Sequence, residues 1–253
     1  MTDIALVRGV PDSFTQALVL GVHPDIDVQL ARLQHARYRD MLAAAGYEVR
    51  QVPVDETHPD CVFIEDAAVI VGTSAVIARS AAAPRRGEIG PVREALPAGL
   101  NVCAIEAPGT LDGGDVFTMG DNLYAGRSRR TNDAGIDQLR SVASSEGLTT
   151  VPVAVHDGLH LKSVVLPLDR ESILVTPDAV EERALTGLRI IYEVAGERHR
   201  ASALPLRDGR LLVTATAPLT TSLLASAGYT PAPIDVSELQ AADGGLTCLS
   251  ILI

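Results

Sequence analysis

The feature that most constrains the fold is a repeat in the pattern of strands and helices. Two strands followed by a helix recur along the chain, at a nearly constant spacing. Asp66 lies 46 residues before Asp112, and Asp112 lies 48 residues before His160. The next intervals are 48 residues to Asp208 and 40 residues to Cys248. Units of this size, placed in a ring, would bring the same point of each unit towards one central axis.

The pattern predicts five strand–strand–helix units, four of which follow one another. They have strands in 62–72 and 74–80 with a helix at 88–96, strands around 111–120 and 123–128 with a helix at 132–145, strands within 160–176 with a helix at 176–187, and a hairpin at 203–216 with a helix at 217–228. Thr176 is expected to cap the third helix, with Pro177 at its first position.

The fifth unit joins the two ends of the chain. Its long helix is predicted at 25–46, and its strands are expected at 4–10 and 246–253. The apolar face of that helix is expected to contain Ile26, Leu30, Leu33, Met41 and Leu42. No linker, charge run or low-complexity stretch divides the chain, which predicts a single domain over residues 1–253.

Composition and charge narrow the class of protein. Of the 253 residues, 47% are hydrophobic, which is typical of a globular chain. No apolar run reaches the roughly 20 residues that span a bilayer, and no basic segment precedes an apolar stretch at the N-terminus, so we expect a cytoplasmic protein with no membrane partner. The 32 acidic residues outnumber the 21 basic ones, which argues against a nucleic-acid partner and fits a small cationic substrate.

The three cysteines, Cys61, Cys103 and Cys248, indicate thiols and not a disulfide framework. Their number is odd, and no Cys-x-x-Cys or Cys/His spacing suggests structural zinc. Gly244-Gly245 precedes Cys248, which permits close approach of the backbone to a ligand. Cys248 is a candidate nucleophile or a small buried hydrophobe, which is the usual place of a free cysteine, and Cys61 and Cys103 fit the buried position better.

Two acidic pairs interrupt apolar segments. Asp112 and Asp115 flank two glycines, and both carboxylates are candidates to point into one pocket. Glu65-Asp66 lies inside a predicted strand, where alternation would turn one of the two acids inward. A buried carboxylate needs a partner, and the sequence leaves open whether that partner is a guanidinium ligand or an internal arginine.

His160 has the same position in its unit as Asp112 has in the preceding one. A histidine titrates near neutrality and can act as both acid and base in one catalytic cycle. Four arginines follow predicted strands as the pairs Arg85-Arg86 and Arg129-Arg130. A guanidinium suits the bidentate binding of a ligand carboxylate, although exposed loop arginines are common.

Together these segments resemble the dimethylarginine dimethylaminohydrolase family, within the guanidino-modifying enzymes of the pentein fold. The similar segments are PDCVFIEDAAV (59–69), APRRGE (83–88), LDGGDV (111–116), SRRTN (128–132), GLHLKS (158–163) and GGLTCLS (244–250). They occur in the family's order and extend over most of the chain. The resemblance implies an α/β pentein propeller of five ββαβ units around a pseudo-fivefold axis.

The resemblance also implies roles for individual residues. Cys248 matches the nucleophile, His160 the general acid and base, and Asp112 the third catalytic residue. The implied substrate-binding residues are Glu65 and Asp66 for the guanidinium, with Asp60 as a supporting acid and Phe63 beside them, Arg85 and Arg130 for the α-carboxylate, Asp243 near the α-amine, and Leu18 in a lid loop.

The implied reaction is hydrolysis of a C–N bond in an Nω-methylated arginine, giving citrulline through a covalent thiouronium on cysteine. It requires no metal or organic cofactor. The alternatives are a related guanidino enzyme, such as an arginine deiminase or an amidinotransferase, and a pentein that binds a partner without catalysis. A zinc site of Cys248, His160 and Asp112 is disfavoured, because no local metal motif supports it, and a homodimer stays open.

Overall fold

The computed structural model describes residues 3–197 and 202–253, which form five three-stranded sheets. The strands are β1 (Ile4–Arg8), β2 (Glu48–Val52), β3 (Ala68–Val71), β4 (Ser74–Ile77), β5 (Asn101–Ala104), β6 (Val116–Met119), β7 (Asn122–Arg127), β8 (Thr149–Ala154), β9 (Val165–Pro167), β10 (Ser172–Val175), β11 (Arg189–Tyr192), β12 (Ala203–Pro205), β13 (Leu211–Thr214), β14 (Pro231–Ile234) and β15 (Ile251–Leu252). The α-helices are α1 (Val28–Ala44), α2 (Ile89–Ala95), α3 (Asp133–Ser145), α4 (Pro218–Ser226) and α5 (Ser237–Ala241).

Every sheet is built in the same way. Its central strand pairs antiparallel with one neighbour and parallel with the other, in the orders β15-β1-β2, β3-β4-β5, β6-β7-β8, β9-β10-β11 and β12-β13-β14. The prediction of five units, the fifth closed by the two ends of the chain, is therefore confirmed. The third strand of each sheet was absent from the residue pattern and was implied only by the resemblance.

Contacts divide the chain into two compact units. Unit 1 spans Met1–Ile64 and Glu193–Ile253, and unit 2 spans Glu65–Tyr192. Unit 1 has one apolar core, in which Phe14 and Phe63 meet edge to face with ring centres 5.9 Å apart. Unit 2 has two apolar cores, one under the sheets that contain β4 and β7 and one under those that contain β7 and β10. The single domain stays a prediction.

The strand predicted at 62–72 is only partly correct. Ile64–Ala67 forms a 3₁₀ turn, and β3 begins after it, at Ala68. The alternation argument for Glu65 and Asp66 was therefore wrong, because a 3₁₀ turn has about three residues per turn and no two-residue period. Both acids are buried instead of one.

The helix predicted at 176–187 is wrong, since no α-helix begins at Pro177 and Thr176 caps none. Asp178 has a φ of 61°, in the left-handed region that a right-handed helix excludes. Val180 then forms an isolated bridge with Val155, and only Glu182–Leu185 makes a 3₁₀ turn.

Helix α1 starts after Asp27, whose carboxylate accepts the backbone N–H groups of Gln29 and Leu30. Its apolar face was predicted incorrectly, since Leu33 is 49% exposed. The buried positions are Ala31, Gln34, His35, Tyr38 and Leu42. Polar groups occupy this face because they find partners, such as Ser250 Oγ at 2.8 Å from the hydroxyl of Tyr38.

Among the described residues, no helix has both the length and the apolarity needed to cross a membrane.

Candidate functional site

Unit 2 brings the predicted catalytic histidine and two predicted acids together. Nε2 of His160 lies 3.1 Å from Oδ2 of Asp112 and 3.8 Å from Oδ1 of Asp66. All three side chains are buried. They come from the three successive units of the repeat, so the 46- and 48-residue intervals do place comparable residues side by side.

The acids around His160 determine its charge. Burial alone would lower the pKa of this imidazole. The negative charge of Asp66, the hydrogen bond with Asp112 and the charge of Asp115 outweigh burial and raise the pKa to about 9. His160 is therefore an imidazolium at neutral pH, and both ring nitrogens carry protons.

Asp112 is fully buried and is shared between two cations. Its Oδ2 accepts from His160 and from Nη1 of Arg130, which lies 3.2 Å away. Its Oδ1 is buried and has no hydrogen-bond partner among the described residues. An unsatisfied buried carboxylate oxygen is costly, which makes Oδ1 a candidate acceptor for a further donor.

Asp66 is paired with an internal arginine, the second of the two alternatives that the sequence left open. Nη1 of Arg85 and the N–H of Gly114 both donate to its carboxylate. Burial would raise the pKa of Asp66, but the charges of His160 and Arg85 and these hydrogen bonds hold it well below its ordinary value.

Arg85 itself lies between two acids. Its guanidinium also donates to both carboxylate oxygens of Glu88, at 2.9 and 2.8 Å. All three side chains of this Asp66–Arg85–Glu88 triad are buried. The part of Arg85 in holding a substrate carboxylate stays a prediction, and Glu88 was not predicted at all.

Glu65, the other acid of the predicted guanidinium pair, is bound by Lys162. Nζ of Lys162 lies 2.6 Å from Oε1 of Glu65, and both side chains are mostly buried. Lys162 belongs to the GLHLKS segment but was not a predicted site residue. Its position two residues after His160 was the available signal, but spacing alone could not show which acid it would meet.

The two glycines between Asp112 and Asp115 are required by close approach. A Cβ atom on Gly113 would lie 2.0 Å from the carbonyl oxygen of Glu65. A Cβ atom on Gly114 would lie 2.8 Å from Oδ1 of Asp66 and 2.8 Å from Nδ1 of His160. Only glycine lets this 3₁₀ turn pack against the histidine and the acids.

The carboxylate of Asp115 contacts a different set of groups from that of Asp112, contrary to the expectation that both acids share one pocket. Its carboxylate accepts the N–H of Leu161 and the hydroxyls of Ser128 and Thr131. It is fully buried, which raises its pKa.

Cys248 lies in unit 1, in a 3₁₀ turn at Thr247–Leu249, and is partly buried. Its sulfur accepts the N–H of Gly245 at 3.3 Å. The other two cysteines have different surroundings. The thiol of Cys61 donates to the carbonyl of Asp55, and burial raises the pKa of Cys103.

The remaining predicted residues of unit 1 surround one exposed segment, 18–22. The N–H of Leu18 donates to both carboxylate oxygens of Asp60, at 3.1 and 3.2 Å. The N–H of Leu20 donates to Asp243, which has a φ of 60°. Val22, at the end of the segment, is 95% exposed. Asp60 and Asp243 therefore hold the backbone of the predicted lid loop.

Phe63 lies in the core of unit 1 and is 5% exposed. Besides Phe14 it packs against Gly244, where a Cβ atom would lie 2.2 Å from its ring. Its predicted part in substrate binding stays a prediction, since packing alone accounts for its position.

No family model matches the chain. It is 37% identical to the N(G),N(G)-dimethylarginine dimethylaminohydrolase of Streptomyces coelicolor over 249 residues, which cover 98% of this chain and 95% of that protein. A cysteine-to-serine mutant of DDAH from Pseudomonas aeruginosa, solved with citrulline, is 29% identical at a TM-score of 0.94, with 100% of both chains covered. A histidine-to-glycine dimethylarginine dimethylaminohydrolase, solved as an adduct with S-methyl-L-thiocitrulline, is 29% identical at a TM-score of 0.92, also with 100% of both chains covered. The predicted pentein fold is confirmed.

Proposed function

Because the chain belongs to the dimethylarginine dimethylaminohydrolase family, we propose that it hydrolyses an Nω-methylated arginine to citrulline and a methylamine. It is a hydrolase that acts on the C–N bond of a guanidino group. The observation that carries the proposal is the buried contact of protonated His160 with Asp112, whose second oxygen has no partner among the described residues. This arrangement combines a proton donor with an acceptor for a guanidinium N–H.

The charges of unit 2 support a cationic substrate. The cluster contains the acids Glu65, Asp66, Glu88, Asp112 and Asp115 and the bases Arg85, Arg130, Lys162 and His160. Acidic side chains therefore outnumber basic ones by five to four in this buried region. A guanidinium would provide a further positive partner for these acids, which favours binding of a cation.

In the proposed mechanism, the thiolate of Cys248 attacks the guanidino carbon and forms a C–S bond. His160 gives a ring proton to the methylated nitrogen, the C–N bond breaks, and the methylamine departs. The neutral imidazole then removes a proton from water as its oxygen attacks the thiouronium carbon. The C–S bond breaks and the thiolate of Cys248 is regenerated. The hydroxyl proton is released to solvent, and the ureido group of citrulline remains.

The residue assignments extend the proposal to both units. Cys248 belongs to unit 1, whereas His160 and Asp112 belong to unit 2, and the reaction needs all three. We therefore propose one catalytic domain over residues 1–253. We propose Arg85 and Arg130 for the substrate carboxylate, as the family resemblance implies. We propose Asp60, Asp243 and Leu18 for the lid and the α-amine, and the loop contacts of Asp60 and Asp243 support this part.

The proposal also bears on location and assembly. A chain with three free cysteines and no disulfide fits a reducing compartment, which favours the cytoplasm. A homodimer is a prediction that light scattering would test.

The substrate is tested by incubating the protein with asymmetric dimethylarginine, monomethylarginine and arginine, and measuring citrulline together with the released amine. We expect citrulline and dimethylamine in equal amounts from the dimethylated substrate, and much slower turnover of arginine. Ammonia release from arginine at a higher rate would assign the chain to the deiminase reaction instead. No citrulline from any of the three would favour a binding protein without catalysis.

The raised pKa of His160 predicts the alkaline limit of activity. Because the imidazolium donates the proton, kcat/KM should fall above about pH 9, by about tenfold per pH unit. In Asp112→Asn the limit should move to lower pH, because one of the groups that raise the pKa of His160 is lost. NMR chemical shifts of the His160 ring protons, followed against pH, show whether this residue sets the alkaline limit. A His160 pKa near the ordinary 6.5 in the unmodified protein would contradict the prediction.

The same pKa shift is linked to folding stability. Because the pKa of His160 is higher in the folded than in the unfolded state, binding of its proton stabilises the folded state. This contribution is complete at pH values below the unfolded pKa of 6.5. That contribution is lost as the pH rises from 6.5 towards 9.

A further inference from the structure

The acid that ends the Asp-Gly-Gly-Asp motif holds two separate segments of the site. Asp115 is fully buried, in the turn before β6. Its Oδ1 accepts the N–H of Leu161 at 2.8 Å, and its Oδ2 accepts the hydroxyls of Ser128 at 2.6 Å and Thr131 at 2.7 Å. None of these hydrogen-bond partners is charged, so Asp115 does not form a salt bridge with them.

The direction of the two hydroxyl bonds fixes further contacts. An ionised carboxylate only accepts, so both hydroxyl protons point at Asp115 and the hydroxyl lone pairs face the other way. Ser128 Oγ accepts the N–H of Arg130 at 3.0 Å and that of Thr131 at 3.2 Å. Thr131 Oγ1 accepts the N–H of Asp112 at 3.2 Å. One carboxylate thus orients the backbone of Arg130 and of Asp112.

The opposite oxygen of Asp115 acts on the histidine segment. Leu161 directly follows His160 and is the first residue of a 3₁₀ turn for which His160 is the N-cap. Gly126 in β7 makes the contact sterically feasible, because a Cβ atom there would lie 2.6 Å from Oδ1 of Asp115 and 2.8 Å from Cβ of Leu161. The chain therefore leaves space at Gly126 for the carboxylate to reach the turn.

We propose that Asp115 is a positioning residue that sets His160 and Arg130 in their working geometry at the same time. It touches neither the substrate nor the reacting atoms. Through Leu161 it fixes the imidazole that transfers the proton, and through Ser128 it fixes the loop that presents Arg130. This inference rests on the proposed function, in which His160 governs kcat and Arg130 governs KM.

The test compares four variants of the full chain. In Asp115→Asn an amide that both donates and accepts replaces a pure acceptor, so one of the two segments loses its partner. We expect a fall in kcat/KM of about 10²-fold, shared between a lower kcat and a higher KM, because small displacements of catalytic groups have effects of this size. Ser128→Ala acts mainly on the Arg130 loop and should raise KM about fivefold with a smaller effect on kcat, the loss of about one hydrogen bond.

Thr131 supplies the matched pair of variants. Thr131→Ser keeps the hydroxyl and should stay within about twofold of the unmodified protein, whereas Thr131→Val removes both the donor to Asp115 and the acceptor for Asp112. Thr131→Val should lower kcat, because Asp112 is the hydrogen-bond partner of His160.

Two readouts separate positioning from a general loss of stability. The pKa of His160, followed by NMR, should fall in Asp115→Asn, because a nearby negative charge is lost, and change less in Ser128→Ala.

A folded Asp115→Asn protein that keeps kcat and KM within about twofold, with an unchanged pKa of His160, would overturn the proposal. If Asp115→Asn does not fold, the test compares the kcat and KM of Ser128→Ala with those of Thr131→Val. Equal effects of the two variants on kcat and KM would overturn the proposal. Absence of citrulline formation by the unmodified protein is a failure of the proposed function, and the His160 titration then still tests the positioning.

Discussion

Replacing Cys248 with serine is expected to reduce citrulline formation by about 10³-fold or more while the protein stays folded. The reaction needs a thiolate that attacks a delocalised, weakly electrophilic cation, and the hydroxyl of serine remains protonated at neutral pH. Serine preserves the local structure because its oxygen can accept the N–H of Gly245, as the sulfur does. The measurement is the initial rate with asymmetric dimethylarginine, together with circular dichroism and a thermal unfolding curve.

The other two cysteines provide the controls. Cys61 and Cys103 donate to backbone carbonyls, a contact that a serine hydroxyl can also make. Cys61→Ser and Cys103→Ser should therefore keep activity within about threefold, since their effects are confined to packing. Substantial turnover by folded Cys248→Ser, or a loss of turnover in either control, would exclude Cys248 as the single nucleophile.

Replacing Arg85 with methionine is expected to lower the free energy of unfolding by about 3–5 kcal/mol. Asp66 and Glu88 would both remain buried, and neither would keep the guanidinium that compensates its charge. Methionine matches the length of the arginine stem, so the loss is mainly electrostatic. Urea unfolding at pH 7 measures the change.

The neighbouring arginine is the matched control for this prediction. Arg86 is exposed and donates one hydrogen bond, to the carbonyl of Ser80 at 2.9 Å. Arg86→Met should therefore change the free energy of unfolding by about 1 kcal/mol or less. If Arg85→Met is no more destabilised than Arg86→Met but has a much higher KM, Arg85 serves the substrate and not the internal triad.

Much of the architecture could be predicted from the residue pattern. Hairpins such as the one that turns at Asp208-Gly209 are recognisable because glycine accepts the positive φ of the turn, 85° at Gly209. The constant interval between hairpins then revealed the repeat, and with it the proximity of Asp66, Asp112 and His160. The third strands, among them β11 and β14, are mostly exposed or half-buried and have no distinctive alternation, so the pattern did not show them.

The errors have tertiary causes. Glu65 and Asp66 interrupt an apolar run in a 3₁₀ turn, because Gly113 packs on the carbonyl of Glu65 and the Gly114 N–H binds Asp66. The buried face of α1 contains Gln34 and Tyr38, because partners distant in sequence satisfy their polar groups. Local periodicity contains no information about such partners.

The same limit applies to the site. The candidate acids and the histidine were identifiable by residue type and motif. Two of the partners that set their charges, Glu88 and Lys162, were not, because any acid on this chain could have met any base. The Arg85–Asp66 and Lys162–Glu65 pairs depend on the packing of segments about 20 and about 100 residues apart.

The central claim is that Cys248 forms a covalent bond to the guanidino carbon. Its most direct test is to mix the protein with asymmetric dimethylarginine, quench the reaction in acid within the first turnover, and map the modified peptide by mass spectrometry. The account predicts a mass increase equal to the substrate less dimethylamine, located on Cys248 and absent from Cys61 and Cys103. Formation of citrulline at the normal rate with no modified Cys248 peptide at any quench time would contradict it.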